Sequence, residues 1–204
     1  MRTGPWTSRE FSLVFMKFRL GLPPPIDEVK ITPHRFGFDY VNLHVKASAL
    51  GTLLFMPLAY VIWTQFWSFK QINAIFRLNP LQGFLILLSV LVVHEICHLL
   101  AFPRMGISQH TYIGFDPKSV FPYVSYQGLL SRNRYFFALV FPIFVLTVLP
   151  FILAFYIPSY VGLLSWVSIF NLIGAAGDIL ILFSLYRKIP ADWYVQGEFY
   201  GPLQ

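Results

Sequence analysis

Cysteine is nearly missing from this chain: Cys97 is the single one in 204 residues. No disulfide can therefore form within the chain, and cysteine usage carries no sign of an oxidising compartment. Charge is the second scarcity. Only 12% of the residues are charged, against about a quarter in a soluble domain, whose surface has to face water. A surface with so little charge has to face lipid over much of its area. Also absent is any stripe of basic residues in polar surroundings. The 15 Lys and Arg against 9 Asp and Glu sit between apolar stretches, which argues against nucleic acid and points to anionic lipid headgroups as the electrostatic partner. Residues 1–46 carry charges throughout and a Gly21-Leu22-Pro23-Pro24-Pro25 turn. A cleavable secretory signal is not expected there, so insertion falls to the mature helices.

What the chain has in quantity is apolar and aromatic: 56% hydrophobic residues, with 22 Phe, 11 Tyr and 5 Trp. Four apolar stretches emerge, at residues 47–66, 81–102, 135–157 and 160–186. About 20 residues at 1.5 Å each cross roughly 30 Å of hydrocarbon, and each stretch reaches that length. Pro142 and Pro150 fall inside the third and read as tolerated kinks. The exceptions to apolarity are His94, Glu95 and His98 in the second stretch and Asn171 and Asp178 in the fourth. The expected fold is an all-α integral membrane protein with four transmembrane helices and a short cytoplasmic β-hairpin between the second and third. Residues 1–46 form a cytoplasmic or interfacial segment, 47–190 the four-helix membrane domain with loop 103–134, and 191–204 a cytoplasmic tail.

Basic residues set the expected orientation. Arg2, Arg9, Lys17, Arg19, Lys30, Arg35 and Lys46 precede the first span. Arg104, Lys118, Arg132 and Arg134 lie between the second and third, and Arg187 and Lys188 follow the fourth; the other side holds Lys70 and Arg77. By the positive-inside rule both termini face the cytoplasm of a multi-pass cell-membrane protein. Tyr40, Trp63, Trp67, Trp166 and Trp193 are expected at headgroup level. Residues 10–20 suit either an interfacial stretch dipping Phe11, Phe15 and Phe18 into lipid or an ordinary amphipathic surface element. In the loop, residues 108–113 and 121–126 alternate apolar and polar side chains around Asp116-Pro117-Lys118, which predicts a hairpin.

The chemistry concentrates at His94-Glu95-Ile96-Cys97-His98. On a helix, residues four apart share a face, so both imidazoles can hold one ion while Glu95 reaches a metal-bound water as general base. A buried polar network or a proton path would use the same residue types. Their cost in hydrocarbon favours a zinc site. Such a site needs a third ligand, and Asp178 is the one acid of the fourth stretch. With the second and fourth stretches both running inward, His94 and Asp178 each lie about eight residues, or roughly 12 Å, from the inner end. Asn171 and Gly174 share a face with Asp178 and are read as facing substrate, although close packing of small residues explains Gly174, Ala175 and Gly177 equally. His110 is the alternative ligand; His34 and His44 have weaker claims, and Cys97 points about 100° round the helix from His98.

These residues resemble those of small multi-spanning bacterial membrane proteins described as zincin peptidases, similar in pattern to the site-2 protease type of intramembrane metalloprotease. The likeness lies in VVHEICHLLAFP at 92–103, FDPKSVFPYVSY in the loop, SRNRY at 131–135 and NLIGAAGD at 171–178. It implies His94, His98 and Asp178 as Zn2+ ligands and Glu95 as catalytic base. In the site-2 pattern a proline stands where this chain has Gly174, a glycine follows the aspartate where it has Ile179, and the Asn to Asp spacing is one residue longer. The expected function is a zinc-dependent metallopeptidase acting on a membrane protein or peptide substrate. The alternative is a non-catalytic metal-binding membrane scaffold or metal carrier.

Overall fold

The computed structural model describes residues 10–13, 16–26, 28–117 and 121–204. Arg2, Arg9, Phe15 and Lys118, used above in the charge count and the interfacial reading, lie outside them. The chain divides into two compact units. One comprises residues 37–97 and 136–188; the other collects the described residues of 1–36 with 98–135 and 189–204. The loop between the second and third spans thus groups with the two ends of the chain.

In the helical unit each start has a local cause. Helix α1 (Tyr40–Leu50) follows Asp39, whose carboxylate accepts from the Asn42 N–H at 3.3 Å. A wide π turn at Gly51–Phe55 carries it into α2 (Met56–Thr64). Ser68 and Gln71 form a capping box that starts α3 (Phe69–Ile72). Helix α4 (Pro80–Ala101) has the same device: Asn79 Oδ1 accepts from Gln82 N at 2.9 Å, Gln82 Oε1 accepts from Asn79 N at 3.1 Å, and Pro80 takes the first helical position. Helix α5 (Arg132–Ile143) passes through a second π turn at Phe144–Val148 into α6 (Leu149–Tyr156). Helices α7 (Val161–Gly174) and α8 (Ala176–Tyr186) complete the unit.

Three helical segments, Asn42–Thr64, Pro80–Ala101 and Arg132–Tyr156, are long and apolar enough to cross a membrane. A fourth, Pro158–Gly174 with Ala176–Tyr186, passes the same test as a pair bent by 48°. Leu53, Leu58, Val61, Leu81, Phe84 and Val92 leave their side chains largely exposed along these segments, a surface that suits lipid and would aggregate in water. The bend is new to the four-span expectation, and it falls in the small-residue run Gly174 to Gly177. The core beside it is Ala59, Trp63, Trp67, Ile72, Ala154, Val161 and Ile169. Two of the rings expected at headgroup level are therefore interior: Trp63 is 2% exposed and Trp67 is buried. Burial of Trp63 is compatible with its polar N–H because Ser168 Oγ accepts it at 3.3 Å, while Trp67 and Phe151 cover its faces.

Within the helical unit glycine matters most at Gly51. A Cβ built there would stand 2.7 Å from the Ile173 carbonyl oxygen, so the π turn and α7 meet backbone to backbone. Gly51→Ala is expected to cost about 1–3 kcal/mol through overpacking. A thermal melt of the detergent-solubilised chain should show the midpoint falling by several degrees; an unchanged midpoint would contradict this close approach.

The other unit corrects the all-helical expectation, since it holds two four-stranded sheets and not one hairpin. The first runs β1 (Glu10–Leu13), β2 (Met16–Leu20), β4 (Thr111–Asp116), β5 (Phe121–Tyr126), with β2 and β4 parallel and the other pairs antiparallel. The hairpin is present, with its first strand three residues later than expected, and within the 10–20 stretch Glu10–Leu13 and Met16–Leu20 are strands of the same sheet. Tyr123 donates to the Gly21 carbonyl at 2.6 Å. Burial pushes its phenol up to about 12, so it stays a neutral donor at ordinary pH. The second sheet runs β3 (His34–Arg35), β8 (Phe199–Gly201), β7 (Tyr194–Gln196), β6 (Leu130–Ser131). The expected tail at 191–204 is thus largely a strand pair, with Trp193 stacked on His34.

Candidate metal centre

Helix α4 runs without interruption from Pro80 to Ala101, so His94 and His98, four residues apart, present their imidazoles on one face. Glu95 follows His94 directly and is half-buried. Just beyond the helix, Arg134 Nη2 donates to the Phe102 carbonyl at 3.1 Å, which satisfies an acceptor that the helix end leaves open. Asp178 comes from the first turn of α8.

These elements meet at one point. His94 Nε2 and Asp178 Oδ2 lie 3.1 Å apart, and one donor atom from each of His94, His98 and Asp178 falls within 4.8 Å of the others. Zinc bonds of about 2.0–2.1 Å in tetrahedral geometry put neighbouring ligand atoms about 3.3 Å apart, so the observed pair already has the spacing of a shared ion. The other ring nitrogen of His94, Nδ1, is 2.9 Å from Asn171 Oδ1. A straight helix would separate residues 171 and 178 by about 10 Å along its axis. A 48° bend lies between them, and Asn171 and Asp178 approach opposite nitrogens of one ring.

The remaining candidates lie elsewhere or differ in character. Asn171, read as facing substrate, is 1% exposed. Its Nδ2 donates to the Pro142 carbonyl at 3.1 Å and to Thr147 Oγ1 at 2.9 Å. Gly174 is exposed, with open space where a Cβ would stand. Cys97 is buried and reduced, inside the motif but outside the cluster. His110 sits at a turn, its N–H given to Ser108 Oγ and its ring against Tyr126; among the described residues it belongs to no metal-capable group. Thr147 and the Pro142 carbonyl escaped the sequence reading. A lone threonine in an apolar span was the signal available.

Two histidines and an aspartate from a second helix form a group that can hold a metal ion, with Glu95 next to the first histidine in sequence; two nitrogens with one carboxylate suit Zn2+ among the common divalent ions. The model of a family described as "Putative zincin peptidase" matches residues 87–193, more than half of the chain, and the chain belongs to that family. No curated protein and no solved structure matches it.

Proposed function

We propose that this protein is a zinc-dependent metallopeptidase that hydrolyses a peptide bond in or near the membrane, with His94, His98 and Asp178 as ligands and Glu95 as catalytic base. The single observation that carries the proposal is the approach of His94 Nε2 and Asp178 Oδ2 to 3.1 Å, atoms of two metal-binding residue types 84 positions apart in the sequence. When bound, zinc supplies a Lewis acid that acidifies a coordinated water and polarises a carbonyl. Glu95 takes the proton of the attacking water and passes it to the leaving amine. Membrane location, with both termini cytoplasmic, is supported by the apolar segments and by the distribution of Lys and Arg. The similarity in pattern to site-2 proteases supports a substrate that is itself a membrane protein or peptide.

Such a substrate offers no scissile carbonyl while its helix is intact, because its backbone groups are paired internally. Strand β5 is an end of its sheet and carries Pro122, a residue that sheets confine to their edges. Pairing of an unwound substrate along β5 would hold it extended. Successive residues of a strand aim their N–H groups to opposite sides, so of Val124→Pro and Ser125→Pro one removes an outward donor. At least one of the pair is expected to cut cleavage tenfold or more with zinc content unchanged; full cleavage by both would refute this docking mode.

A further inference from the structure

We infer that Asn171 is a positioning residue that holds His94 in its Nδ1-protonated tautomer, with the Pro142 carbonyl as the reference that sets its polarity. The inference deepens the metal-site reading and rests on it for its consequence, though not for its geometry. An asparagine side chain has a donor end and an acceptor end, and the end that faces a neutral histidine decides which ring nitrogen keeps its lone pair. A backbone carbonyl can only accept. The group 3.1 Å from the Pro142 carbonyl is therefore the Asn171 amide nitrogen. Its second hydrogen goes to Thr147 Oγ1 at 2.9 Å, and the Thr147 hydroxyl donates onward to the Ser168 carbonyl at 3.4 Å.

Both hydrogens of the amide are thereby used, and what meets His94 Nδ1 at 2.9 Å is the Asn171 carbonyl oxygen. It accepts, so Nδ1 carries the hydrogen. In the neutral ring it is therefore Nε2 that offers a lone pair, 3.1 Å from a carboxylate oxygen. Two acceptors at that distance repel unless a proton or a metal ion sits between them, so the relay decides which nitrogen of His94 is left to meet that ion. Orienting partners of this kind on ligating histidines typically contribute about 10–100-fold to metal affinity.

The backbone explains why the relay can exist. In an α-helix, positions five apart are about 140° apart around the axis. The π turn at Phe144–Val148 widens the winding to an i→i+5 pattern, which brings the Thr147 hydroxyl round toward the side of the Pro142 carbonyl. One amide can then reach both. Asn171 is 1% exposed, so water offers it no other partners.

The test uses the full chain in detergent at pH 8. In metal-free protein with 15N-labelled histidine, ring 15N shifts should show His94 protonated at Nδ1 in the wild type and a tautomer mixture in Asn171→Ala. Chelator competition should show zinc binding weakened about 10–100-fold in Asn171→Ala. Asn171→Asp, which keeps an acceptor on Nδ1, should stay closer to the wild type. Trp63→Phe removes another buried hydrogen bond to α7; it should lower the melting temperature and leave zinc affinity alone, which separates positioning from packing. A wild-type spectrum with Nδ1 unprotonated overturns the inference without any variant. Unchanged zinc affinity in Asn171→Ala beside a zinc-binding wild type also overturns it, leaving the metal site intact. A wild type that binds no zinc while its His94 is Nδ1-protonated overturns the metal reading instead.

Discussion

Glu95→Gln is expected to retain one zinc per chain and to lose hydrolysis by about 10²–10⁴-fold, the usual contribution of a positioned general base. Glutamine keeps the size and hydrogen-bonding reach of the side chain but cannot accept the proton of water. Metal binding should survive, because the proposed ligands are His94, His98 and Asp178, whose donor atoms cluster, and Glu95 is not among them. The measurement is metal content beside the cleavage rate of a solubilised membrane-peptide reporter that the wild type cuts. Unchanged turnover would remove the mechanism, whereas zinc binding with no turnover in the wild type would favour the scaffold or carrier reading.

The second large effect is the loss of the ion itself. His94→Ala, His98→Ala and Asp178→Ala each remove one of three protein ligands. With apparent zinc-site free energies of about 10–16 kcal/mol shared among a handful of ligands, each loss should weaken binding by about 100-fold or more. His110→Ala should bind zinc as the wild type does, since its ring lies against Tyr126. Full occupancy in Asp178→Ala would reject the aspartate as a ligand. Loss of zinc in His110→Ala would transfer that role to the loop.

Helix α4 could be read almost whole from the sequence, because everything that makes it is local: an apolar run, the Asn79 to Gln82 cap and two histidines four apart. Its observed limits, Pro80–Ala101, lie within a residue of those expected. Asp178 was legible for a related reason. An acid in an apolar span has few uses, and helix rise alone puts it level with His94, which it meets at 3.1 Å.

What escaped depends on partners distant in sequence. Residues 10–20 suit an interfacial stretch or an amphipathic surface element, and the sheet that Met16–Leu20 joins depends on its pairing with β4, some ninety residues on. The same pairing shifts the hairpin, since alternation continues through residues 108–116 and does not mark where β4 begins. Residues 194–201 form strands against β3 and β6, which are two residues each and too short to show a period. The π turns and the bend at Gly174 to Gly177 leave composition untouched, so nothing announced that Asn171 would turn inward to His94. Its burial as a polar residue was foreseeable; the direction of its amide follows from the Pro142 carbonyl alone.

The central claim is one zinc ion held by two imidazoles and the Asp178 carboxylate. Zinc-edge X-ray absorption on the purified wild type tests it most directly. The expected spectrum has a shell of four nitrogen and oxygen atoms at about 2.0–2.1 Å, with two imidazoles resolved and one remaining in His98→Ala. A sulfur ligand at about 2.3 Å, which would implicate Cys97, or a shell without imidazole would contradict it.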